Sequence, residues 1–437
     1  MYRYKINELK KWKESQERKP LIIRGARQVG KTWLMKEFGE SEYEKCAYIN
    51  FDENNRMIEL FSGDFDIERI VQGLKIESGV NIEPENTLII FDEIQETPKA
   101  LTALKYFYEN ASQYHIVAAG SLLGVAMHEG ISFPVGKVDF LDLYPLNFKE
   151  FLKALGEDDI VELIEKNDIN LINVFADKLK NYLKQYFYIG GMPEIVETYI
   201  KTKDFKEVRR KQEILLAAYE QDFSKHAPNN IVPRIRQLWN NIPTQLAKEN
   251  KKFIYGLIKQ GARAREYELA LSWLIDCGLV YQINRVNACK VPLSAYQDFN
   301  AFKLYLLDVG LLCAKANLDA ISIIDGNEIF IEFKGALTEQ YVLTELKTGT
   351  DSPVLYWSAD KGTAEVDFII QIGTNNVPIE VKSNENLQAK SLKSFIQRYE
   401  TKVNVRTSMA GYEKQENIIN IPLYLIGNIK KITVNHF

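Results

Sequence analysis

An eight-residue loop near the start of the chain constrains the fold more than any other feature. Residues 25–32 read GARQVGKT and complete the pattern G-x-x-x-x-G-K-[ST]. The apolar residues 20–23 predict a short buried strand before the loop, and residues 33–38 predict the first turns of a helix after it. In such a unit, backbone N–H groups wrap a polyphosphate and the helix N-terminus adds partial positive charge. The sequence therefore predicts a nucleotide site here.

The loop supplies the candidate nucleotide contacts. Lys31 is long enough to reach the β- and γ-phosphates and is a candidate catalytic residue, while the hydroxyl of Thr32 can hold Mg²⁺. Arg24 precedes the loop and Arg27 lies within it, and either could contact phosphate or remain in solvent. The predicted nucleotide-binding residues are Gly25, Ala26, Arg27, Gln28, Val29, Gly30, Lys31, Thr32 and Trp33.

A second motif, of the Walker B type, supplies candidates for metal binding and catalysis. Residues 88–91 are apolar and predict a buried strand that ends in Asp92 and Glu93. Asp92 would hold Mg²⁺ through water and Glu93 would activate the attacking water; a buried strand with a polar end is the alternative. Further strands are predicted at 47–51, 115–119 and 138–143. Because strands alternate with helical stretches, we predict an α/β fold with a doubly wound parallel sheet that binds its ligand at the carboxyl ends of the strands.

Composition limits the class of protein. A chain of 437 residues suggests two or three domains, and a net charge of −4 means that any nucleic-acid surface would be a local patch. The four cysteines are scattered without a C-x-x-C pair, which argues against a zinc site or a disulfide framework. No signal-peptide core and no apolar run of about 20 residues is visible. We therefore expect a cytoplasmic protein without a membrane partner.

The order of several motifs resembles a known family. The motifs occupy residues 24–32, 90–95, 119–121, 144–151, 188–194 and 303–310, followed by acidic motifs near the end. They resemble the bacterial and archaeal AAA-type ATP-binding proteins that carry a C-terminal domain of unknown function. The resemblance implies ATP with Mg²⁺, and it implies that Ser121 senses the γ-phosphate in catalysis, although serine is also a common helix N-cap. Gly136 and Lys137 stand where many family members have Gly-Arg, so no arginine finger is identified.

The middle of the chain predicts helices followed by a winged helix. We predict a P-loop AAA-type domain at 1–150, a helical linker or lid at 151–230, a winged-helix-like domain at 231–300 and a restriction-endonuclease-like α/β domain at 301–437. A helix at 267–277 stops at Gly278, and a hairpin begins at Val280. The basic residues of this region would contact DNA, although a solvated face or a protein contact explains them equally. They are Lys248, Lys251, Lys252, Lys259, Arg263 and Arg265.

Acidic residues on two neighbouring strands near the C-terminus predict a second site. Glu380 and Lys382 lie two residues apart on a predicted strand and point to the same face, and Asp367 lies on the strand before it. Glu339 on an upstream helix could add a carboxylate. This spacing is typical of restriction-endonuclease-like nucleases, in which Mg²⁺ or Mn²⁺ supports phosphodiester hydrolysis. Domains of this fold also serve only as binding platforms.

Three hypotheses follow. The first is an ATPase whose nucleotide state is coupled to the nuclease-like C-terminal domain. The second is an ATP-regulated, metal-dependent DNA nuclease that uses Glu339, Asp367, Glu380 and Lys382 with a second Mg²⁺ or Mn²⁺. The third is a nucleotide-gated switch that binds a protein partner.

Overall fold

The computed structural model describes residues 1–120, 134–248, 252–324, 331–359, 364–385, 387–434 and 436. Ser121 and Lys251, for which the sequence predicts roles, lie outside these residues. The chain divides into two compact units. The N-terminal unit contains residues 2–144 and 276–278, and the C-terminal unit contains Met1, residues 145–275 and residues 279–437.

A five-stranded sheet forms the centre of the N-terminal unit. Its strands are β1 Leu21–Arg24, β2 Lys45–Asn50, β3 Thr87–Asp92, β4 His115–Ala119 and β5 Asp139–Asp142. The order is β2–β3–β4–β1–β5, and all neighbouring strands are parallel, which confirms the predicted α/β fold with a parallel sheet. The described helices of this unit are α1 Ile6–Glu14, α2 Lys31–Glu42, α3 Asn55–Ser62, α4 Ile67–Ser78 and α5 Pro98–Asn110.

Burial of β3 fixes the position of the acidic residues at its end. All six of its residues are buried, as expected for a strand of a parallel sheet that is covered on both faces. Phe91 packs edge-on against Phe51 and Phe61, with ring centroids 5.2 Å and 6.0 Å apart. Burial of such a side chain stabilises the fold by about 1.5–3 kcal/mol. Asp92 and Glu93 are therefore held at the carboxyl end of a rigid strand.

Helices make up the first part of the C-terminal unit. They are α6 Phe148–Ala154, α7 Asp158–Lys166, α8 Ile169–Val174, α9 Ala176–Ile189, α10 Pro193–Thr202, α11 Phe205–His226, α12 Val232–Leu246, α13 Ala264–Asp276, α14 Val309–Lys315 and α15 Ala320–Ile324. The last residue of α13, Asp276, belongs by its contacts to the N-terminal unit.

A tight turn between α9 and α10 is locked by a buried carboxylate. Gly191 lies so close to Leu146 that a Cβ atom on it would be 2.1 Å from the Leu146 carbonyl oxygen. Asp308 accepts hydrogen bonds from the backbone N–H of Gly191 at 2.6 Å and of Leu311 at 2.9 Å. Burial raises the pKa of Asp308 to about 6 although these N–H groups oppose the shift. The turn is therefore a packing junction.

An eight-stranded mixed sheet completes the C-terminal unit. Its order is β12–β13–β11–β10–β9–β8–β6–β7. The strands are β6 Val280–Val286, β7 Gln297–Leu306, β8 Leu355–Ser358, β9 Glu365–Ile372, β10 Asn375–Val381, β11 Asn404–Ser408, β12 Glu413–Gln415 and β13 Ile418–Pro422. The accompanying helices are α16 Ile331–Gly349, α17 Lys390–Tyr399 and α18 Ile429–Val434.

The β6–β7 hairpin that the sequence predicts extends this sheet. β6 is antiparallel to β7 and meets β8 in parallel through Arg285 and Tyr356. The boundary predicted at residues 300 and 301 lies within β7. The contacts group the hairpin with the other strands in one unit. A separate winged-helix domain and the restriction-endonuclease-like class of the sheet stay predictions.

Candidate functional site

The phosphate-binding loop has a backbone shape that its glycines permit. Gly30, directly before α2, has a φ of 94° in the left-handed region. Gly25 passes the segment after β5 so closely that a Cβ atom on it would lie 2.3 Å from the carbonyl oxygen of Leu143. Gln28 also adopts a left-handed conformation, with φ of 63°. The loop therefore depends on glycine for steric reasons and leads directly into the N-terminus of α2.

Lys31 is buried inside the loop and turns toward the loop's own carbonyl groups. Its Nζ atom donates to the carbonyl oxygens of Gly25 and Ala26, each at 2.9 Å. Burial lowers the pKa of Lys31 to about 8, while the carboxylates of Glu93 and Asp92 oppose this shift. A phosphate in the loop would offer this ammonium group a stronger, charged acceptor than two carbonyl groups.

Thr32 and Asp92, the residues predicted to hold Mg²⁺, meet directly. The Thr32 hydroxyl donates to Oδ2 of Asp92 at 2.7 Å, and the hydroxyl of Tyr48 on β2 donates to the same oxygen at 2.9 Å. Asp92 is buried. Hydroxyl and carboxylate oxygens are ligands that Mg²⁺ accepts, so these side chains fit such an ion. The sequence did not single out Tyr48.

Glu93 has a strained backbone and a neighbour that holds its carboxylate. Its φ of 52° and ψ of 43° are left-handed, a conformation that costs a non-glycine residue about 1–3 kcal/mol. Its Oε2 atom accepts a hydrogen bond from Nε2 of the buried Gln95 at 2.6 Å. Gln95 therefore orients the predicted base, a role that the sequence did not indicate. Strain of this kind is concentrated at functional sites.

The other predicted loop residues differ in exposure. Ala26 and Val29 are buried, Arg27 is half-buried, and Gln28 is exposed. Trp33, in the first turn of α2, is 39% exposed. Arg24 forms a bidentate ion pair with Asp142 at 2.8 Å and 3.0 Å, so its guanidinium group binds a carboxylate of the neighbouring strand.

The structure brings together the acidic residues predicted in the C-terminal unit. Phe368 of β9 pairs with Ile379 of β10, which places Asp367 and Glu380 at the same end of the two strands. Asp367 accepts a hydrogen bond from the N–H of Val381 at 2.8 Å, and Lys382 donates to Oε1 of Glu380 at 2.7 Å.

Glu380 has one oxygen atom without a partner. Its Oε2 atom is buried and accepts no hydrogen bond from the described residues. Burial raises the pKa of Glu380, the ammonium group of Lys382 opposes this, and the carboxylates of Glu339 and Glu365 add to the rise. An orphaned buried oxygen calls for an explanation such as a cation or a water.

Lys303 on β7 is a member of this cluster that the sequence did not place there. Its fully buried ammonium group forms an ion pair with Glu365 and lies 4.0 Å from Oε2 of Glu339. Tyr305, two residues later on the same strand, donates its hydroxyl to that Glu339 oxygen at 2.9 Å. The nearby carboxylates, with Asp367 among them, raise the pKa of Lys303 against the effect of burial.

The carboxylate cluster is therefore defined by six residues: Lys303, Glu339, Glu365, Asp367, Glu380 and Lys382. Four carboxylates and two ammonium groups leave a formal charge of −2. Within the described part of the chain, no three His, Cys, Asp or Glu side chains are close enough together to hold a metal ion.

The basic residues predicted to contact DNA are on the surface. Lys248, Lys252, Lys259 and Arg263 are exposed between α12 and α13, and Arg265 is exposed in the first turn of α13. Exposed acidic residues, Glu266 and Glu268, follow on α13. Among the helices of the described residues, none combines the length and the apolar composition that a membrane span requires.

Comparison with protein families divides the chain into three segments. Residues 17–152 match the family model of an AAA domain. Residues 180–322 match a domain of unknown function, DUF8612, and residues 334–426 match another, DUF4143.

Comparison with individual proteins finds archaeal relatives. An uncharacterised protein of Methanocaldococcus jannaschii is 26% identical over 385 residues, which cover 86% of this chain and 77% of that protein. A second one from the same organism is 22% identical over 201 residues, or 43% of this chain and 41% of that protein.

Two solved structures are similar at low TM-score. The Walker-type ATPase PABY2304 of Pyrococcus abyssi has a TM-score of 0.45 and 14% identity, covering 71% of this chain and 95% of that one. The Aeropyrum pernix ORC1 protein in complex with DNA has a TM-score of 0.28 and 13% identity, covering 72% and 93%.

The AAA-domain match coincides with the parallel sheet, the phosphate-binding loop and the Asp92–Glu93 strand end of the N-terminal unit. The segment that carries the phosphate-binding loop and the Asp92–Glu93 strand end is therefore similar to an AAA domain.

Proposed function

We propose that this protein hydrolyses ATP with Mg²⁺ in its N-terminal unit. The observation that carries the proposal is the contact of Thr32 with Asp92 at 2.7 Å beside the buried ammonium group of Lys31. Two oxygen ligands and one cation converge at the mouth of a loop whose N–H groups can wrap phosphates. Thr32 and Asp92 would hold Mg²⁺, which neutralises charge that develops on the phosphate oxygens.

Each residue of the site has a separate role in hydrolysis. Lys31 would leave the carbonyl groups of Gly25 and Ala26 and donate to the β- and γ-phosphates. Glu93 would accept a proton from a water whose oxygen attacks the γ-phosphorus. The bond from that phosphorus to the bridging oxygen then breaks, which leaves ADP and inorganic phosphate. Gln95 keeps the carboxylate of Glu93 in the orientation that this transfer requires.

Binding of ATP to matched variants tests this proposal. Lys31→Ala should abolish ATP binding in calorimetry, because the loop loses the buried ammonium group that would bind the phosphates. Lys11→Ala, which removes an exposed lysine from α1, is the control and should bind ATP as the wild type does. Equal ATP affinity and equal turnover in the wild type and Lys31→Ala would contradict the proposal.

We also propose that the nucleotide state is coupled to the C-terminal unit. Support comes from the matching segments of unknown function, which follow the AAA-type domain in one chain. Hydrogen exchange of the C-terminal unit, measured on Glu93→Gln with ATP and with ADP, should differ at α16 and β7, which carry Glu339 and Lys303. Identical exchange with both nucleotides would contradict coupling.

A metal-dependent nuclease in the C-terminal unit is the second candidate. It is supported by the orphaned Oε2 atom of buried Glu380 and by the formal charge of −2 on the carboxylate cluster. Asp367 and Glu380 would hold Mg²⁺ or Mn²⁺, and Glu339 would have to move closer to become a third ligand. The ion would supply a nucleophilic hydroxide. Lys382 would orient the attacking water, and the exposed lysines and arginines before and at the start of α13 would contact DNA phosphates.

Cleavage assays separate this candidate from a binding role. Linear and supercoiled DNA should be cut with Mg²⁺ or Mn²⁺ by the wild type and not by Asp367→Asn, whose side chain has the same shape. Asp351→Asn, which changes an exposed aspartate elsewhere in the unit, is the control. No cleavage by the wild type under any condition would refute the nuclease and favour a nucleotide-gated switch that binds a protein partner.

Retention of DNA at different salt concentrations tests independently whether the protein binds DNA. Phosphate contacts by several basic residues would make affinity fall steeply with salt, by a logarithmic slope of about −0.9 for each phosphate. If DNA is not retained at low salt, DNA binding is refuted and a protein partner is the favoured alternative.

A further inference from the structure

Arg3, close to the N-terminus, is bound to the phosphate-binding loop. Its side chain is only 4% exposed. Its guanidinium group donates to the carbonyl oxygen of Val29, within the loop, at 2.8 Å, and also to the carbonyl oxygen of Tyr144. All three residues belong to the N-terminal unit. A residue 22 positions before the loop therefore holds the loop's backbone.

The contact with Val29 has a consequence for the next N–H group. A trans peptide unit is planar, and its C=O and N–H bonds point in opposite directions. The carbonyl group of Val29 and the N–H group of Gly30 belong to one such unit. By fixing the carbonyl group, Arg3 aims the N–H of Gly30 toward the opposite side of the loop.

The second contact gives the guanidinium group a fixed support. Tyr144 follows Leu143, whose carbonyl oxygen is the close neighbour of Gly25 at the other end of the loop. Arg3 therefore ties Val29 to the segment that confines Gly25. A planar guanidinium group can make both bonds at once, whereas a lysine ammonium group has no such rigid fork.

We infer that Arg3 is a positioning residue for polyphosphate binding: it orients the Gly30 N–H and strengthens it as a donor. The bond from a charged group polarises the Val29 peptide, and a polarised peptide donates more strongly through its N–H. The inference rests on the proposed binding of ATP and adds a residue outside the G-x-x-x-x-G-K-T pattern.

Calorimetric titration with two ligands tests the inference on the full-length protein. Arg3→Gln should weaken both ATP and inorganic tripolyphosphate by about tenfold, the worth of one hydrogen bond to a charged group. The two ligands should lose the same factor because the base is not involved. Arg3→Lys should restore part of the loss, since it keeps the charge and one of the two bonds.

Arg18→Gln provides the matched control. Arg18 also donates to backbone carbonyl groups, including that of Lys13 at 2.9 Å, but these are outside the loop. This variant should bind both ligands as the wild type does. A merely structural role for Arg3 would reduce the number of binding-competent molecules, and so the stoichiometry, while the dissociation constant stayed unchanged.

The other binding results distinguish a failure of the role of Arg3 from a failure of ATP binding itself. Wild-type affinity of Arg3→Gln for both ligands, or reduced stoichiometry alone, would overturn the role of Arg3 while leaving ATP binding intact. Loss of affinity for ATP but not for tripolyphosphate would overturn it as well, because the effect would then lie at the base or sugar. Failure of the wild type to bind either ligand would overturn the proposed function itself.

Discussion

Glu345 in the C-terminal unit allows a prediction whose size follows from the structure. It lies on α16, is only 2% exposed, and accepts a hydrogen bond from the N–H of Phe148 at 2.7 Å. Burial raises its pKa from 4.5 to about 7; the Phe148 N–H and the ammonium group of Lys149 oppose the rise, and the carboxylate of Glu150 adds to it. We predict that Glu345→Gln stabilises the protein above neutral pH.

The sign and size follow from proton linkage. Below pH 4.5 Glu345 is protonated in both states and contributes nothing to the pH dependence. Between pH 4.5 and about 7 the unfolded state is ionised while the folded state keeps its proton, so the free energy of unfolding falls as pH rises. Glutamine has no such titration. The unfolding free energy of Glu345→Gln minus that of the wild type should therefore grow by about 2.5 kcal/mol from about pH 5 to about pH 8.

Urea unfolding of the full-length protein at several pH values measures this difference. Subtracting wild-type from variant midpoints cancels the pH dependence of the N-terminal unit and of Asp308, which both proteins share. Glu213→Gln, an exposed change on α11, is the control and should track the wild type. A difference between Glu345→Gln and wild type that stays constant from about pH 5 to about pH 8 would refute the reasoning.

Three further predictions concern other contacts. Gln95→Ala should lower kcat about tenfold without changing the Kd of ATP, because Glu93 loses one charge-assisted hydrogen bond. A changed Kd in a binding titration together with an unchanged kcat in steady-state kinetics would contradict this. Gly191→Ala should destabilise the C-terminal unit by about 3 kcal/mol through overpacking, which an unchanged calorimetric Tm would exclude. Lys303→Met should cost about 3–5 kcal/mol of unfolding free energy, because it leaves the buried carboxylate of Glu339 and the half-buried carboxylate of Glu365 without their cation. The double variant with Glu365→Gln should recover part of this loss in urea titrations. Equal stability of the single and double variants would argue against the pair.

The N-terminal fold was predictable from the sequence because its signals are local. The loop at 25–32 and the apolar strand before Asp92 each fix a short piece of backbone, and all five strands form where the pattern predicts them. Their spatial order was not predictable in the same way. The position of β4 between β1 and β3 depends on packing between segments about 100 residues apart.

The residues that the sequence missed act across long separations. Tyr48 reaches Asp92 because β2 and β3 are neighbours, and Lys303 reaches Glu339 only because β7 and α16 pack in one unit. Lysines and tyrosines on strands are common, so nothing local marks these two. Gln95 had a usable signal, since it lies two residues after the predicted base.

The hairpin at β6 and β7 shows how a correct local prediction leaves the larger architecture open. The glycine that stops the helix at 267–277 and the residues after it predicted a hairpin from Val280. The hairpin joins β8 where Arg285 pairs with Tyr356. No local sequence pattern encodes a pairing between residues so far apart in the chain.

Turnover of ATP by Glu93→Gln tests the central claim most directly. The variant keeps the loop, Lys31 and the Thr32–Asp92 contact, so it should bind Mg²⁺-ATP with the wild-type Kd. It lacks the proton acceptor, so phosphate release should fall by about 10²–10⁴-fold. Wild-type phosphate release by Glu93→Gln at equal ATP occupancy would contradict the account, because hydrolysis would then not depend on the carboxylate at the end of β3.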